Sequence, residues 1–235
     1  MVYLISCNVL NPPPELTWDH SPDALIIQAT SGGGMEPEAA YRNRIPDAQL
    51  WGNGRYIWQT FDENNSRQVW EAQLSEDEIV GLLQTFADKG FWRLKDHYEP
   101  RSEVFDSSST SLRVNLLEEN KRVGEYHSGA PRKFHELRGM VSSGAGADGQ
   151  PYIPQSGYLT VIPRDDFGYP DIPVWDAEAA GISLEDILDG PVGGAALIQA
   201  WEIVNQQYWA PYVVDGEYYY ELFVEIPELT GQETP

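Results

Sequence analysis

The sequence predicts an α+β fold in which antiparallel β-hairpins and a meander pack with two helices, joined to a smaller, acidic α+β lobe. Three observations predict it: strand-like runs separated by turn signals, two segments with helical apolar spacing, and a C-terminal part with a different charge composition. Hydrophobic residues make up 41% and aromatic residues 12% of the 235-residue chain, which is sufficient for a packed core.

The first strands are predicted to form a meander. Residues 24–29 are apolar except for Gln28, which is typical of a buried strand. Segments 48–51 and 55–59 flank Gly52-Asn53-Gly54, and Asn-Gly accepts the positive φ values that a tight hairpin turn needs. Residues 68–72 follow as the next strand.

A helix is predicted to begin after Ser75 and to end at Gly90. Ser75 and Glu78 have the spacing of a capping box, in which each side chain bonds the other residue's backbone N–H. Gly90 suits the left-handed geometry that ends many helices. The apolar face of this helix is formed by Ile79, Leu82, Leu83 and Phe86.

A second hairpin and a second helix complete the N-terminal lobe. Segments 112–116 and 122–126 are predicted to pair, and Pro131 suits the first turn of the helix that follows. Phe134, Leu137 and Val141 lie on one side of that helix. The lobe is therefore predicted to have the order β-βββ-α-ββ-α.

The charge distribution indicates a second lobe. Residues 151–235 contain 15 acidic residues and one basic residue, Arg164, whereas residues 1–150 contain 22 and 14. Small residues dominate 142–151, a composition typical of a linker or long loop. We predict an N-terminal tether (1–20), an α+β domain (21–141), a linker (142–151), an acidic α+β lobe (152–230) and a tail (231–235). One domain with an inserted loop is the alternative.

The acidic lobe is predicted to contain a strand at 158–162, a short helix at 183–188, a helix at 196–208 and a terminal hairpin. In the last strand, 217–226, a predicted buried set alternates with a predicted exposed set, and the buried set comprises Tyr218, Tyr220, Leu222, Val224 and Ile226. Such a period of two predicts one buried face and one wet face. The predicted wet face comprises Glu217, Tyr219, Glu221, Phe223 and Glu225.

Composition and motif spacing argue against several functional classes. The net charge of −22 disfavours nucleic-acid binding, and no run of 18 apolar residues is present. Residues 144–149 match G-x-G-x-x-G, but they follow a predicted helix rather than a strand, so no cofactor is predicted. His135-Glu136 lacks the second histidine of a zinc-protease motif. No catalytic residue is assigned, and an enzyme is disfavoured.

Two weak ligand candidates remain. Asp165, Asp166 and Asp171 form an acidic loop that could supply calcium ligands, with a solvated loop as the alternative. Four aromatic residues on neighbouring strands would form a platform for sugar rings or peptides if exposed, and core or cross-strand pairs if buried. They are Trp51, Tyr56, Trp58 and Trp70.

The amino terminus suggests a lipid anchor. Leu4-Ile5-Ser6-Cys7 resembles a bacterial lipobox, and the proline-rich residues 8–15 resemble the tether that follows one. The basic and apolar leader of a signal peptide does not precede Cys7. We therefore expect an envelope location if translation starts upstream of Met1, and a cytoplasmic one otherwise, with a frayed terminus as the alternative for Cys7.

Residues from about 25 to 141 resemble an uncharacterised bacterial family, many of whose members are secreted or lipid-anchored. The similarity rests on turn, cap and core residues: Leu50 to Arg55 with Trp58, Leu74-Ser75 with Glu78, Ile79 and Leu82-Leu83, Gly90-Phe91, Tyr98, and Ala130-Pro131 before Phe134 and Leu137. It implies a similar fold and no catalytic residues.

These observations favour a non-enzymatic binding or accessory protein of the bacterial cell envelope, attached to a membrane only through a lipid. Its partner would be a carbohydrate or peptide. The alternative is a cytoplasmic acidic inhibitor or toxin-immunity protein that binds a basic protein, because a negative surface steers cationic partners.

Overall fold

Two sheets, built mostly from antiparallel strands, organise the chain. The computed structural model describes residues 14–165, 168, 171–187 and 189–230. Within them, the larger sheet has the strand order β5-β7-β6-β1-β2-β3-β4-β8, and the smaller one has the order β10-β9-β12-β11. This confirms the predicted α+β fold class.

The strands of the larger sheet are β1 (Leu25–Gly32), β2 (Ala48–Trp51), β3 (Arg55–Phe61), β4 (Arg67–Gln73), β5 (His97–Tyr98), β6 (Ser109–Asn115), β7 (Asn120–Tyr126) and β8 (Gln150–Pro151). Those of the smaller sheet are β9 (Ser156–Arg164), β10 (Asp189–Gly193), β11 (Tyr212–Asp215) and β12 (Tyr218–Glu225). The helices are α1 (Glu38–Arg42), α2 (Glu76–Asp88), α3 (Arg132–Ser142), α4 (Ala177–Ala180), α5 (Gly194–Gln206) and α6 (Pro227–Thr230). Single 3₁₀ turns occur at Phe91–Arg93, Gly144–Gly146 and Leu184–Asp186.

The predicted order of elements in the N-terminal lobe is confirmed, with α1 and β5 as additions. The capping box at α2 is present, since Ser75 accepts from the Glu78 N–H and Glu78 accepts from the Ser75 N–H. At the β2–β3 turn, positive φ values were expected for both Asn53 and Gly54, and only Gly54 has one. Gly54 has a φ of 88°, whereas Asn53 does not adopt a positive φ. Instead, the Gly54 N–H donates to the Trp51 carbonyl at 2.9 Å.

Two hydrophobic clusters lie on opposite faces of the larger sheet. The first joins the sheet to α2 and α3, with Phe86 and Phe134 fully buried. The second contains Ile57 and Val69 from the other face of the sheet, together with side chains of α5 and the smaller sheet. Both predicted lobes therefore contribute to the second cluster.

The predicted linker, 142–151, is packed against the larger sheet. A Cβ atom at Gly149 would lie 2.3 Å from the Trp58 ring, and one at Gly144 would lie 2.6 Å from it. Glycine at both positions therefore lets the backbone approach the indole closely. Pro151 then pairs with Trp70 as part of β8. These contacts give the G-x-G-x-x-G string a packing role.

The wet face predicted for the last strand is wrong at two positions. Glu221 and Phe223 are 6% and 3% exposed. Arg42 of α1 lies over the Phe223 ring, 3.8 Å from its centroid, and Arg164 donates to Glu221. Period-two alternation failed here because α1, from the N-terminal lobe, covers the second face of β12.

Candidate functional site

One half of the larger sheet remains open on the face opposite α2 and α3. Helix α5 packs against β4 on this face, while β1, β6 and β7 present polar side chains to solvent. They border a groove of about 950 Å³ that we call the polar groove. Its lining includes Thr30, Gly32, Arg44, Ser111, Lys121, Arg122 and Gly124.

The floor of the polar groove follows from strand register. Thr30 of β1 lies opposite Ser111 of β6, which lies opposite Gly124 of β7. The Thr30 and Ser111 hydroxyls are 2.8 Å apart and hydrogen-bonded. Gly32 leaves room for Arg44, because a Cβ atom there would lie 2.2 Å from the guanidinium. Strand glycines of this kind often mark close approach by another group.

Two cations of the polar groove are already paired. Arg44 forms an ion pair with Glu36, and Lys121 forms one with Asp96. The Glu36 carboxylate also accepts from the Gly33 N–H at 3.1 Å, which fixes the loop after β1. These pairs border the groove without supplying a free charge.

Two further cations have no such partners. Arg113 and Arg122 lie directly opposite each other in the β6–β7 ladder, and both are exposed. Arg122 lines the groove, and Arg113 shares its strand face with Ser111, two residues before it, so it lies beside the groove on the same face of the sheet. Neither residue forms an ion pair within the described part of the chain. Like charges directly opposite each other in a sheet are destabilising unless an anion lies between them.

A serine–histidine contact at one end of this sheet was missed by the sequence analysis. The Ser107 Oγ and His127 Nδ1 atoms are 2.8 Å apart. The register could have found it, because Ser109 pairs with Tyr126 and the two residues lie just beyond that pair. Both Asp106 and His127 have positive φ values, 52° and 61°. The pair is exposed, and the described contacts include no carboxylate on His127, so the contact assigns no chemistry by itself.

The predicted aromatic platform has a different environment. Trp51, Tyr56 and Trp58 are all buried, and Trp70 is half-buried. Trp51 belongs to the second hydrophobic cluster, whereas Tyr56 and Trp58 belong to the first. The four side chains therefore form no common exposed surface. Burial raises the pKa of the Tyr56 hydroxyl, which donates to the Val141 carbonyl.

The other predicted site residues are only partly described. Cys7 and Asp166 lie outside the described residues. Asp165 and Asp171 are exposed, and Asp171 has a φ of 60°. Across the described ranges, no three His, Cys, Asp or Glu side chains converge as a metal site. No helix in those ranges is long and apolar enough to cross a bilayer.

Comparison with known proteins identifies one domain. Residues 45–143 match a family model described as a domain of unknown function (DUF6438), which covers less than half of the chain. The match confirms the resemblance to an uncharacterised family over these residues. No curated protein and no solved structure matches the chain.

Proposed function

We propose that this chain is a non-enzymatic binding protein whose polar groove holds a carboxylate-bearing glycan. The observation that carries the proposal is the pair Arg113 and Arg122, which are exposed, unpaired within the described residues and directly opposite each other; Arg122 lines the groove and Arg113 lies beside it on the same sheet face. Guanidinium groups recognise carboxylates through two parallel hydrogen bonds. A bound carboxylate would also relieve the repulsion between the two cations.

The remaining floor suits a hydroxyl-rich ligand. Thr30, Ser109 and Ser111 supply hydroxyls, each able to donate and accept, and Gly124 lines the groove opposite Ser111. The volume of about 950 Å³ is at the upper end of small-molecule sites and fits a segment of a polymer. These groups bind and orient, and they lack the nucleophile–base pair that bond-making needs.

The binding test compares a paired substitution with a charge-matched control. We expect the double variant Arg113→Ser, Arg122→Ser to bind oligogalacturonate about tenfold more weakly than the parent, because charge-assisted hydrogen bonds contribute about 1.5–3 kcal/mol. The control, Arg101→Ser with Arg132→Ser, removes the same charge from exposed positions outside the groove. Isothermal titration calorimetry measures both.

Three outcomes would count against this proposal. Equal losses in both double variants would mean that overall charge, rather than the groove, governs binding. Equal affinity for neutral maltohexaose would remove the role of the carboxylate. Tighter binding of hexaglutamate would move the proposal to acidic peptides.

We further propose that the protein acts at the bacterial cell envelope, anchored through a lipid on Cys7. The support is the string Leu4-Ile5-Ser6-Cys7 followed by a proline-rich segment. Genomic sequence upstream of Met1 tests it. A basic and then apolar leader in frame would support the anchor, and an in-frame stop codon close upstream would contradict it.

The alternative is a cytoplasmic inhibitor or toxin-immunity protein that binds a basic protein. Its support is the charge of residues 151–235, where Arg164 is the single base and is paired with Glu221. Capture of a basic protein that weakens steeply between low and physiological salt would favour this alternative. Salt-independent capture, or none, would count against it.

A further inference from the structure

A second groove lies between strand β4 of the larger sheet and helix α5. It has a volume of about 480 Å³ and does not overlap the polar groove. Tyr152 and Trp201, both of the second hydrophobic cluster, supply aromatic rings to its wall, and Trp70 borders it from β4. Ile153 and Ile198 line it too and are 54% and 38% exposed, so apolar surface faces solvent here. We call it the aromatic groove.

A buried cation lines the same groove. Arg67, the first residue of β4, is 3% exposed. Its Nη1 donates to the Asn43 carbonyl at 2.6 Å, and its Nε donates to the Asn205 side chain. Its Nη2 atom is buried and has no hydrogen-bond partner. Burial without a compensating bond is costly for such a group.

No carboxylate compensates the charge of Arg67. The ion pairs of the described residues do not include it. The Tyr208 ring lies 4.8 Å from the guanidinium and the Trp201 ring 5.3 Å from it. Burial lowers the pKa of Arg67 to about 10, so the group is still a cation at neutral pH.

The groove therefore combines apolar side chains, a buried cation without an ion-pair partner among the described residues, and the exposed carboxylate of Glu202 at its rim. We propose that the aromatic groove binds a small organic carboxylate with a flat, apolar body, whose carboxylate completes the hydrogen bonds of Arg67. The body would lie against the aromatic wall and cover Ile153 and Ile198, while the carboxylate reaches the guanidinium. This site is independent of the polar groove, so either proposal can fail alone.

Ligand chemistry provides the first test. Indole-3-acetate is the probe, and indole-3-acetamide has nearly the same shape without the charge. Tryptophan fluorescence follows binding, because Trp70 and Trp201 line the groove. We expect the acid to bind about 10-fold to 100-fold more tightly than the amide, the range expected of a charge-assisted hydrogen bond. Equal affinities, or no binding of the acid at 10 mM (on the order of the weakest specific affinities), would overturn the proposal.

Variants provide the second test without touching the buried cation. Ile198→Asp places a negative charge at the rim and should weaken indole-3-acetate binding about tenfold. Ala195→Asp is the matched control, because Ala195 is exposed on the same helix but does not line the groove. It should retain parental affinity. Equal affinities of the two variants would show that the carboxylate binds elsewhere.

Substitution of Arg67 itself completes the series. Arg67→Lys keeps a positive charge but lacks the second planar donor, so we expect weaker binding of the acid and an unchanged affinity for the amide. Circular dichroism establishes whether the variant folds. If it does not fold, the comparison of Ile198→Asp with Ala195→Asp still decides the question.

Discussion

Replacing Asn43 should destabilise the protein more than any exposed substitution of the same kind. Asn43 follows α1 and is 1% exposed. Its side-chain amide donates to the Leu222 carbonyl at 3.2 Å and accepts from the Val224 N–H at 2.7 Å. The pairing of β11 with β12 ends at Glu221. The Asn43 side chain forms hydrogen bonds with β12 just beyond that point, at residues 222 and 224.

The magnitude follows from what Asn43→Ala leaves behind. The Leu222 carbonyl and the Val224 N–H would each lose a partner inside the protein. An unsatisfied buried polar group costs about 1–3 kcal/mol, so the two groups together should lower the free energy of unfolding by about 2–6 kcal/mol. Backbone strain adds nothing, because the φ of −87° at Asn43 is accessible to alanine.

Urea denaturation followed by tryptophan fluorescence and far-UV circular dichroism measures the change. Asn64→Ala is the control, since Asn64 lies in the exposed β3–β4 turn and should change stability by no more than about 0.5 kcal/mol. Hydrogen exchange should show faster exchange at Val224 in the Asn43 variant. A loss below about 0.5 kcal/mol at Asn43 would refute the reasoning, because it would mean that water or a shifted neighbour satisfies both groups.

Four other changes test separate contacts. Glu228→Gln should lower Tm at pH 7, and the Tm difference should shrink as the pH falls below about 4.3. Burial raises the pKa of Glu228, but hydrogen bonds from Arg55 and Tyr152 outweigh burial and lower the pKa overall, so the carboxylate stabilises the fold fully above the unfolded pKa of about 4.3 and loses that contribution as the pH falls through the folded pKa; a pH-independent Tm difference would contradict this. Glu125→Ala should cost about 1–3 kcal/mol by urea denaturation, because it removes the carboxylate oxygen that accepts from the N–H groups of residues 129 and 130; parental stability would contradict it. Ser75→Ala should cost about 1 kcal/mol by removing the capping box of α2, whereas Ser75→Asp should restore most of it in the same denaturation assay. Gly149→Ala should cost about 1–3 kcal/mol and shift tryptophan emission, since its Cβ would overlap the Trp58 ring; an unchanged spectrum and midpoint would argue against that contact.

Local signals in the sequence predicted local structure. The Ser75–Glu78 spacing places a cap, the apolar spacing places α2 and α3, and the predicted hairpin segments 112–116 and 122–126 overlap β6 and β7, although the observed register, with Leu112 opposite Val123, was not predicted. These features depend on residues within one or two turns of each other, so each can be recognised from the sequence alone. Element α1 was not predicted, because five residues with no side-chain cap give a weak signal.

Long-range neighbours were not predictable in the same way. Strand β1 lies between β2 and β6. The last residue of β1, Gly32, pairs with the first residue of β6, Ser109, although 76 residues lie between them in the sequence. Periodicity assigns a side chain to a face but does not say which strand is adjacent. The pairing of Thr30 with Ser111, and hence the polar groove, is therefore a result of topology. The burial of Glu221 was not predictable for the same reason, because α1, the helix that contacts β12, is far from β12 in the sequence.

The boundaries of the family match bear on how far the polar groove can be transferred to other proteins. Arg113, Arg122 and Ser111 lie inside the matched residues 45–143, whereas Thr30, Gly32 and Arg44 lie before them. The unpaired arginines therefore belong to the matched domain, and one wall of the groove comes from β1 and the loop after α1. It follows that a chain sharing only the matched residues can retain the two cations while differing in the hydroxyl-lined wall. If the proposal is correct, recognition of the carboxylate should transfer with the domain, and selectivity for the rest of the ligand should depend on β1.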